Sequence, residues 1–475
     1  MSFVVMKFHF GILAITMLAA ASIATSASLP SWVSKVGAQR TPSMKLTCSA
    51  NAPGAKPGED STRPVQAAID KCSASGGGAV DFAAGEYVIG AIFLKDNVEL
   101  RVGAGVTLLA SPDDAAYPKR PTRVAGIEMT WPSALINVDG AKNVSITGTG
   151  VIDGRGQKWW DRYWNLRREY EPKGLRWASD YDAERVRLMV VSRSSDVTVE
   201  NVSLKRSGFW TVQVLYSDHV TVNGIKISDN SGPSTDGVDV DSSSYVLIEN
   251  CDIDNNDDDI CLKSGRDSDG LRVHRPTEYV VVRNNTIRHG GGVIAFGSET
   301  SGGIRHVVAL DNHGTGTQEG VRFKSAKTRG GYVEDVLVRG LTLENVPRPF
   351  TFTLNWNPSY SYATIPPDTQ NVPDYWKVLA TPVVPAERGF CRFRDIRIED
   401  VKVRGAATIF TAAGLPEKTI DRVAFSNIDA EGKSAGTIQF ARMWRMRNVS
   451  LTVADGDPLK VTDSQKVDTP KVIKK

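Results

Sequence analysis

Short runs in which apolar and polar residues alternate recur along most of the chain. Three of them are Asp196-Val-Thr-Val-Glu-Asn, His219-Val-Thr-Val-Asn-Gly and Tyr245-Val-Leu-Ile-Glu-Asn, and the six runs that begin at 196, 219, 245, 279, 305 and 335 are spaced by 23, 26, 34, 26 and 30 residues. Alternation with period two is typical of a strand, and its return at intervals of 20 to 50 residues is typical of a solenoid. The pattern predicts an all-β fold, a single-stranded right-handed parallel β-helix whose coils bury their apolar sides only by stacking.

A short helix is predicted before the first coils. Ser61 suits an N-cap, Pro64 is tolerated in the first helical turn, and Gly76-Gly77-Gly78 ends the pattern. A solenoid needs such a cap because its end coil would otherwise expose the core.

Two aromatic stretches, near 157-188 and 355-388, interrupt the repeat. The first contains Trp159, Trp160 and Trp177, and the second contains Trp356 and Trp376. Long ordered loops in a compact fold are usually functional, and aromatic faces stack on sugar rings. The alternative is that these insertions cover a sheet edge or form a subunit contact.

The N-terminal residues have the pattern of a secretory signal. Lys7 precedes an apolar run from Phe8 to Ala21, and small residues follow up to Ala27. We therefore expect a signal peptide at 1-27, a secreted or periplasmic protein with no membrane association after its removal, a β-helix at 28-455 and a solvated tail at 456-475. A membrane anchor is the alternative, although the apolar run is short for a span.

Composition narrows the choice of partners. The chain has 475 residues, 41% of them apolar, and a formal net charge of +3, so it can bury a large core and has no nucleic-acid footprint. Its cysteine count is five, which does not describe a disulfide framework. Cys48 and Cys72 are candidates for one pair, whereas Cys251 and Cys261 lie in strand patterns and are expected to be buried and unpaired.

Two acidic clusters lie about one coil apart. Asp236 precedes Asp257 by 21 residues, and Asp258 follows directly. Stacked coils are about 4.8 Å apart, so these three carboxylates should form one compact patch on the solvent face. Paired carboxylates suit glycoside hydrolysis, in which one protonates the leaving oxygen and another activates water.

Basic residues follow on later coils. Arg322 and Lys324 are two residues apart, so in a strand they share one face while Phe323 enters the core. Two cations beside an acidic patch predict a substrate with a carboxylate, such as a uronate. Lys263 and His289 are further candidates for substrate binding.

At this point the chain resembles glycoside hydrolase family 28, which contains the polygalacturonases and rhamnogalacturonan hydrolases. The resemblance runs from Thr47 to Ser450 and rests on Gly76-Gly-Gly-Ala-Val-Asp-Phe, Gly208-Phe-Trp-Thr-Val, the aspartate pair and Arg322-Phe-Lys. It implies that Asp257 is the general acid and that Asp236 and Asp258 hold and activate the water. It also implies that Arg322 and Lys324 bind the substrate carboxylate, and that the enzyme inverts the anomeric centre and uses no metal or cofactor.

The chain departs from the polygalacturonase pattern at two positions. Ser234 replaces the asparagine of Asn-Thr-Asp, and Gly291 occupies the histidine position of Gly-His-Gly. His289, two residues earlier on the same strand face, is a candidate substitute. Rhamnogalacturonan-type members also lack this histidine, so the loss bears on specificity more than on catalysis.

We therefore expect a hydrolase acting on pectic polysaccharides or oligosaccharides, and an exo-acting one, because the two insertions can wall off one end of the groove. A rhamnogalacturonan hydrolase or galacturonohydrolase of the same family is the first alternative. A calcium-dependent pectate lyase with Asp257, Asp258 and Asp259 as ligands, and a β-helix that binds polysaccharide without catalysis, are others.

Overall fold

The computed structural model describes residue 1, residues 28–42 and residues 46–475. The predicted signal peptide falls almost entirely outside these residues. Residues from Trp32 to Lys475 form one compact unit within the described part of the chain. Within the described residues, no helix is both long and apolar enough to cross a membrane.

The compact unit is a right-handed parallel β-helix, as predicted. Thirty-four strands of the described residues join into one continuous sheet, which winds so that each coil contributes one strand to each of three faces. Parallel pairing between successive coils is evenly registered, as in Val238↔Ile260 and Ile260↔Ile294.

The first face will carry the site. Its strands are Ile92–Leu94, Ile136–Asp139, Met189–Ser192, Val212–Leu215, Val238–Asp241, Ile260–Lys263, Ile294–Phe296, Glu319–Lys324, Arg348–Thr353 and Lys460–Thr462.

The second face contains the runs recognised in the sequence. Its strands are Thr47–Ser49, Gly78–Asp81, Val98–Arg101, Lys142–Thr147, Ser195–Glu200, Asp218–Asn223, Ser244–Glu249, Thr277–Arg283, Ile304–Leu310, Tyr332–Arg339 and Gln465–Val467.

The third face completes each coil. Its strands are Gly85–Ile89, Val106–Ala110, Val151–Asp153, Ser203–Lys205, Lys226–Asn230, Asp252–Asn255, Thr286–His289, His313–Thr315, Thr342–Glu344 and Lys471–Lys474, and the long strands Arg392–Ala413, Ile420–Gln439 and Ala441–Val453 bend round more than one face.

Left-handed backbone marks both ends of the second-face runs. Asp196 and Tyr245 near their starts each have φ of 55°, and Asn201 and Asn250 at their ends have φ of 61° and 57°. Asparagine and aspartate tolerate this region better than other non-glycine residues because their short side chains bond to nearby backbone. A residue in left-handed backbone, asparagine here and Gly224 or Gly340 in two other runs, therefore turns the chain towards the third face.

Apolar side chains fill the interior in continuous rows. Phe323 stacks on Phe296 at 4.4 Å and on Phe352 at 4.6 Å between ring centroids. All three rings are buried. Each ring is held between the coils above and below, so the spacing of the coils is fixed by the packing of the core.

The predicted cap is present as the helix Thr62–Ala74. Val65, Ile69 and Cys72 on its inner face are buried. Ser61 stands at the N-cap position, but its hydroxyl bonds to the backbone of Lys56 instead of to the helix. The cap is thus fixed mainly by burial of its apolar face.

All five cysteines are buried free thiols. Cys48 and Cys72, considered as a pair, lie close to each other, and burial together with the contact to Cys48 raises the pKa of Cys72 to about 12. Cys251 and Cys261 are buried and unpaired, as expected from their strand positions.

The C-terminal residues differ from the predicted solvated tail. Lys460–Thr462, Gln465–Val467 and Lys471–Lys474 pair in parallel with the preceding long strands. The β-helix therefore continues beyond residue 455, and the lysines of the last strand project from it into solvent.

The two insertions and a hairpin build a second apolar cluster beside the first face. The hairpin pairs Lys119–Val124 with Ile127–Pro132. Trp131 of the hairpin, Trp177 of the first insertion and Trp376 of the second are buried in this apolar cluster, which we call the wall.

The helices and 3-10 turns outside the cap are Ser31–Lys35, Asp114–Ala116, Gln157–Tyr170, Glu171–Lys173, Arg176–Ala178, Ser179–Asp182, Asp267–Val273, Pro358–Ser361, Asp374–Ala380 and Ala386–Gly389.

Candidate active site

The three aspartates come together at the point where two adjacent strands of the first face begin. Asp236 precedes Val238–Asp241, and Asp257 and Asp258 precede Ile260–Lys263. The Gly237 N–H donates to the Asp258 carbonyl at 2.9 Å. A Cβ at Gly237 would lie 2.3 Å from the carbonyl oxygen of Asp259, so glycine allows the two coils to approach. As a result, carboxylate oxygens of Asp236 and Asp258 lie within 4.8 Å of each other.

The three carboxylates are more buried than the solvent-facing acidic patch that the sequence predicted. Asp258 is fully buried, Asp236 is 3% exposed, and Asp257 alone is partly open. All three line one pocket. The insertions supply the sides of this pocket, including Asp180 and Trp356.

Arg322 and Lys324 share one face of the strand Glu319–Lys324, and Phe323 between them enters the core. In this structure both cations bind Asp258: Arg322 Nη1 lies 2.9 Å from one carboxylate oxygen and Lys324 Nζ lies 2.5 Å from the other. Their charged groups also lie over the Trp356 ring, at 5.6 and 4.6 Å from its centroid. The predicted carboxylate-binding pair and the predicted acids thus belong to one cluster.

The environment separates the protonation states of the adjacent aspartates. Burial raises the pKa of Asp257, and the negative charge of Asp258 raises it further. Burial also disfavours ionisation of Asp258, but Lys324 and Arg322 outweigh it and hold the pKa of Asp258 well below its usual value. One carboxyl is therefore prepared to carry a proton while its neighbour stays ionised, which is the arrangement that acid–base chemistry requires.

Lys263 lies beneath this pair in a cluster of three more carboxylates. Its Nζ is 3.3 Å from Asp236, 3.4 Å from Asp239 and 3.6 Å from Glu299, and its side chain is 5% exposed. Burial opposes its charge, but the surrounding acids dominate and raise the pKa of Lys263 well above its usual value. The groups closest to Lys263 are therefore these three buried acids, whereas the sequence analysis proposed that Lys263 binds the substrate.

Asp239 is a functional candidate that sequence reasoning missed. Burial raises the pKa of Asp239 to about 7 despite the opposing charge of Lys263. Burial and Asp239 together raise the pKa of Asp236 well above its usual value. The charge of Asp239 thus disfavours ionisation of Asp236, as expected of crowded acids. The available signal was the alternation Val238-Asp239-Val240, which turns Asp239 to the outer side of the strand that follows Asp236.

His289 does not line this pocket. Its side chain is 69% exposed and its Nδ1 lies 3.2 Å from Asp254. Gly291, by contrast, borders the acids: a Cβ there would lie 3.1 Å from the carbonyl carbon of Asp257 and 3.2 Å from a carboxylate oxygen of Asp258. The structure thus places no imidazole beside the described acids at this point, where even a Cβ would be tightly packed.

The donors in the pocket do not fit a resident calcium ion. The group with the closest approach among the described residues is Asp236, Asp258 and the thiol of Cys261, whereas calcium takes six to eight oxygens. Asp258 is already paired with two cations. Asp259, required by the lyase alternative, faces Gly290, where a Cβ would lie 2.2 Å from its carboxylate oxygen, and not the pocket.

Known proteins resemble this chain in both sequence and fold. The family model "Glycosyl hydrolases family 28" matches residues 103–372. A "Probable polygalacturonase" of Vitis vinifera is 30% identical over 76% of this chain and 68% of its own length. An "Exo-poly-alpha-D-galacturonosidase" of Dickeya chrysanthemi is 27% identical over 79% of this chain and 66% of its own length.

A solved structure gives the same result for the fold. A hyperthermoactive exopolygalacturonase from Thermotoga maritima superposes with a TM-score of 0.71 at 26% identity, covering 87% of this chain and 94% of its own. A matching family model over more than half of the chain decides the assignment, and the protein is a glycosidase that belongs to glycosyl hydrolase family 28.

Proposed function

We propose that the protein is an exo-acting, polygalacturonase-like hydrolase that releases galacturonate from the end of pectic chains with inversion of the anomeric centre. The observation that carries the proposal is a carboxylate-lined pocket with a cationic side, bordered by residues of the wall. A polymer can lie along an open groove, but a blocked groove admits only a chain end. The relatives named as exo-acting enzymes in Dickeya and Thermotoga support the same conclusion.

Asp257 is the proposed general acid. Burial and the charge of Asp258 raise its pKa, which favours the protonated form, and it is the most open of the three aspartates. Its Oδ1 accepts the backbone N–H of Asp258 at 2.9 Å, which fixes the carboxyl and leaves the other oxygen to protonate the leaving group. Positioned general acids of this kind contribute about 10²–10⁴-fold to a rate.

Asp258 and Asp236 are proposed to hold and deprotonate the attacking water. Asp258 is kept ionised by Lys324 and Arg322, so it can accept a proton at the pH at which Asp257 still carries one. Asp236 lies on the neighbouring coil with its carboxylate within 4.8 Å, close enough for one water to contact both. Direct attack by such a water inverts the anomeric centre.

Arg322 and Lys324 are proposed to bind a substrate carboxylate. Both are held close to the acids, and the Trp356 ring beneath their charged groups offers a face for a sugar. Charge-assisted hydrogen bonds from such a pair distinguish uronates from neutral sugars. Lys263 pairs with Asp236 and its buried neighbours. The exposed position of His289 does not favour contact with the substrate.

Product analysis tests the proposal. The purified protein is incubated with polygalacturonate, rhamnogalacturonan and galacturonate oligomers labelled at the reducing end, and products are separated by anion-exchange chromatography. We expect free galacturonate from the first time point, with labelled oligomers shortened by one unit at a time. Early release of mixed oligomers would replace the exo proposal by an endo-acting one.

A rhamnogalacturonan hydrolase of the same family is the second candidate, and Gly291 is the observation that favours it. Gly291 presents backbone instead of a side chain beside Asp257 and Asp258, so the surface that meets the sugar there differs from one that carries an imidazole. Preferential release from rhamnogalacturonan oligomers in the same experiment would select this candidate.

We also propose that the protein acts outside the cytoplasm, on the basis of the N-terminal apolar run of the sequence. N-terminal sequencing of protein from the medium or periplasm should begin near residue 28. An intact N-terminus would contradict export by this signal.

A further inference from the structure

A second pocket lies on the first face, away from the acids. The strands Ile136–Asp139 and Met189–Ser192 contribute to it, and it shares no lining residue with the acidic pocket. The Trp131 ring lines the second pocket and the Phe209 ring lines the acidic one. These two rings pack on each other at 6.3 Å between centroids. Their contact, which belongs to the wall, separates the two pockets.

The charged residues that line the second pocket are three arginines and one aspartate. They are Arg120, Arg187, Arg193 and Asp139. Arg193 Nη2 lies 2.7 Å from one oxygen of Asp139, and Arg120 Nη1 lies 3.7 Å from the other. Two guanidinium groups thus share one carboxylate, and the third has none.

Arg187 is a buried charge without a counter-charge in contact. It is 2% exposed. Its hydrogen-bond acceptors among the described residues are neutral, namely the Gln213 side chain at 2.5 Å, the Arg123 carbonyl at 3.2 Å and the Thr122 hydroxyl at 3.4 Å. Burial lowers the pKa of Arg187 to about 9, and the charge of Asp239 offsets only part of this effect. Because an uncompensated buried charge is costly, an anion beside Arg187 is strongly favoured.

Two buried polar atoms of the lining have no hydrogen-bond partner among the described residues. They are Nε of Arg187 and the hydroxyl of Ser192. Buried donors in proteins are nearly always satisfied, and both of these groups can donate to an oxyanion. Together with the unpaired guanidinium, they favour a ligand that carries a carboxylate.

The second pocket continues into a polar depression beside the cap helix. Both are lined by Phe93, Arg120 and Asp139, and the depression is also lined by Gln66 and the exposed Lys95. A small anion fills only the part beside the arginines, whereas a chain of acidic sugars can contact both parts. The shape of this surface therefore favours an oligosaccharide.

We propose that the second pocket binds a carboxylate of an acidic oligosaccharide without cleaving it. Asp139 is the only acid among its lining residues, whereas glycoside hydrolysis needs a pair of carboxyl groups. This inference goes beyond the proposed function, because it concerns a separate site and requires binding alone. An acidic polymer held there keeps its ends near the catalytic pocket, which raises their effective concentration.

Calorimetric titration of Asp257→Asn with trigalacturonate tests the proposal, because this variant should bind the sugar without cleaving natural linkages. We expect two molecules bound per chain. Adding Lys324→Ala should weaken binding in the catalytic pocket, and adding Arg187→Gln should weaken the other binding event by roughly 10–100-fold, the range for a hydrogen bond to a charged group. Fully methyl-esterified trigalacturonate should not bind the second pocket.

Arg193→Gln is a second variant for the case in which Arg187→Gln does not fold. Its side chain is 49% exposed, so its replacement leaves the hairpin packed, and it should weaken the second binding event by a smaller factor, up to about 5-fold. Arg168→Gln is the matched control, because Arg168 is exposed on the first insertion and lines neither pocket. It should change neither binding event.

A single binding event that Lys324→Ala weakens, and that Arg187→Gln and Arg193→Gln leave unchanged, would overturn the inference while the proposed function stands. Two binding events that both arginine variants leave unchanged would also overturn it. If inorganic sulfate at constant ionic strength binds the second pocket more tightly than trigalacturonate, the pocket serves small anions and the inference fails. A protein that binds no trigalacturonate at all would contradict the proposed function as well.

Discussion

Replacing Lys263 by methionine should destabilise the protein in a manner that depends on pH. Methionine keeps the length of the side chain and its contact with the Trp210 ring, which Lys263 Nζ now approaches to 4.9 Å. It removes the cation that lies within 3.6 Å of Asp236, Asp239 and Glu299. Three buried carboxyl groups are then left without their shared counter-charge.

The magnitude follows from burial. Removing one partner of a buried ion pair costs about 3–5 kcal/mol, because the remaining charge has lost its compensation. An unfolding entropy of about 2.1 cal/mol/K per residue gives about 1 kcal/mol/K for a chain of this length, so the midpoint should fall by about 3–5 °C near pH 8.

The sign of the pH dependence is fixed by protonation. Without Lys263 the folded-state pKa values of Asp236 and Asp239 rise further above their unfolded values, and the lowered pKa of Glu299 rises as well. The folded variant therefore binds more protons than the unfolded chain. Stability then falls as pH rises from about 4 through and beyond the pKa of about 7 that Asp239 already has. The difference from the wild-type protein should be small near pH 4 and largest at pH 8.

Differential scanning calorimetry at matched scan rates, from pH 4 to 8, measures this difference. Lys205→Met is the control, because Lys205 pairs with Asp229 at 3.1 Å in an exposed bridge worth about 0–1 kcal/mol. It should shift the midpoint little and equally at every pH. A Lys263→Met variant that is as stable as the wild-type protein at pH 8 would refute the assignment of this lysine as the counter-charge of the acids.

Four further outcomes are expected. The activity of Asp257→Asn on natural linkages should fall by about 10²–10⁴-fold, whereas much of its activity on an aryl galacturonide should remain, because an aryl leaving group needs little protonation. Proton NMR of the first product of the wild-type protein should show the inverted anomer, and a retained anomer would contradict direct attack by water. Lys324→Ala should lower kcat/KM for uronate substrates by roughly 10–100-fold while Lys226→Ala, an exposed control, does not, and an unfolded Lys324→Ala protein would make the residue structural instead. Asp239→Asn should move the acidic limb of the pH profile of kcat to lower pH, because it removes an acid that raises the pKa of Asp236. An unchanged limb would mean that Asp239 does not affect the pKa of Asp236. Activity should survive EDTA, whereas loss on chelation with rescue by calcium would point to a metal that the donor set does not predict.

The sequence predicted what depends on local periodicity. The runs that begin at Asp196 and His219 gave the strand and coil spacing, and this spacing alone brought Asp236 beside Asp258. Arg322 and Lys324 were placed on one side of their strand by the two-residue period. Such features follow from backbone geometry, which needs no knowledge of neighbours.

The remaining features depend on contacts between distant segments. The aromatic insertions were located, but the bond from Ser234 to Asp180 depends on how the first insertion folds back over the coils. Burial of Asp236 was missed for the same reason, since the wall that helps to cover the acids is built from separate segments. The strand Lys471–Lys474 was missed because its short, lysine-rich sequence has no clear apolar alternation.

The separation of the wall from the coils has a consequence for how this protein can change. The acids are held by coil stacking, whereas the enclosure of the pocket comes from the hairpin and the two insertions, which pack mainly on one another. Mutations, deletions or exchanges within those segments can therefore alter which end of a polymer is admitted without rebuilding the chemical centre. The segments that surround the pocket can therefore be exchanged, by evolution or by a protein engineer, while the acids on the coils stay the same.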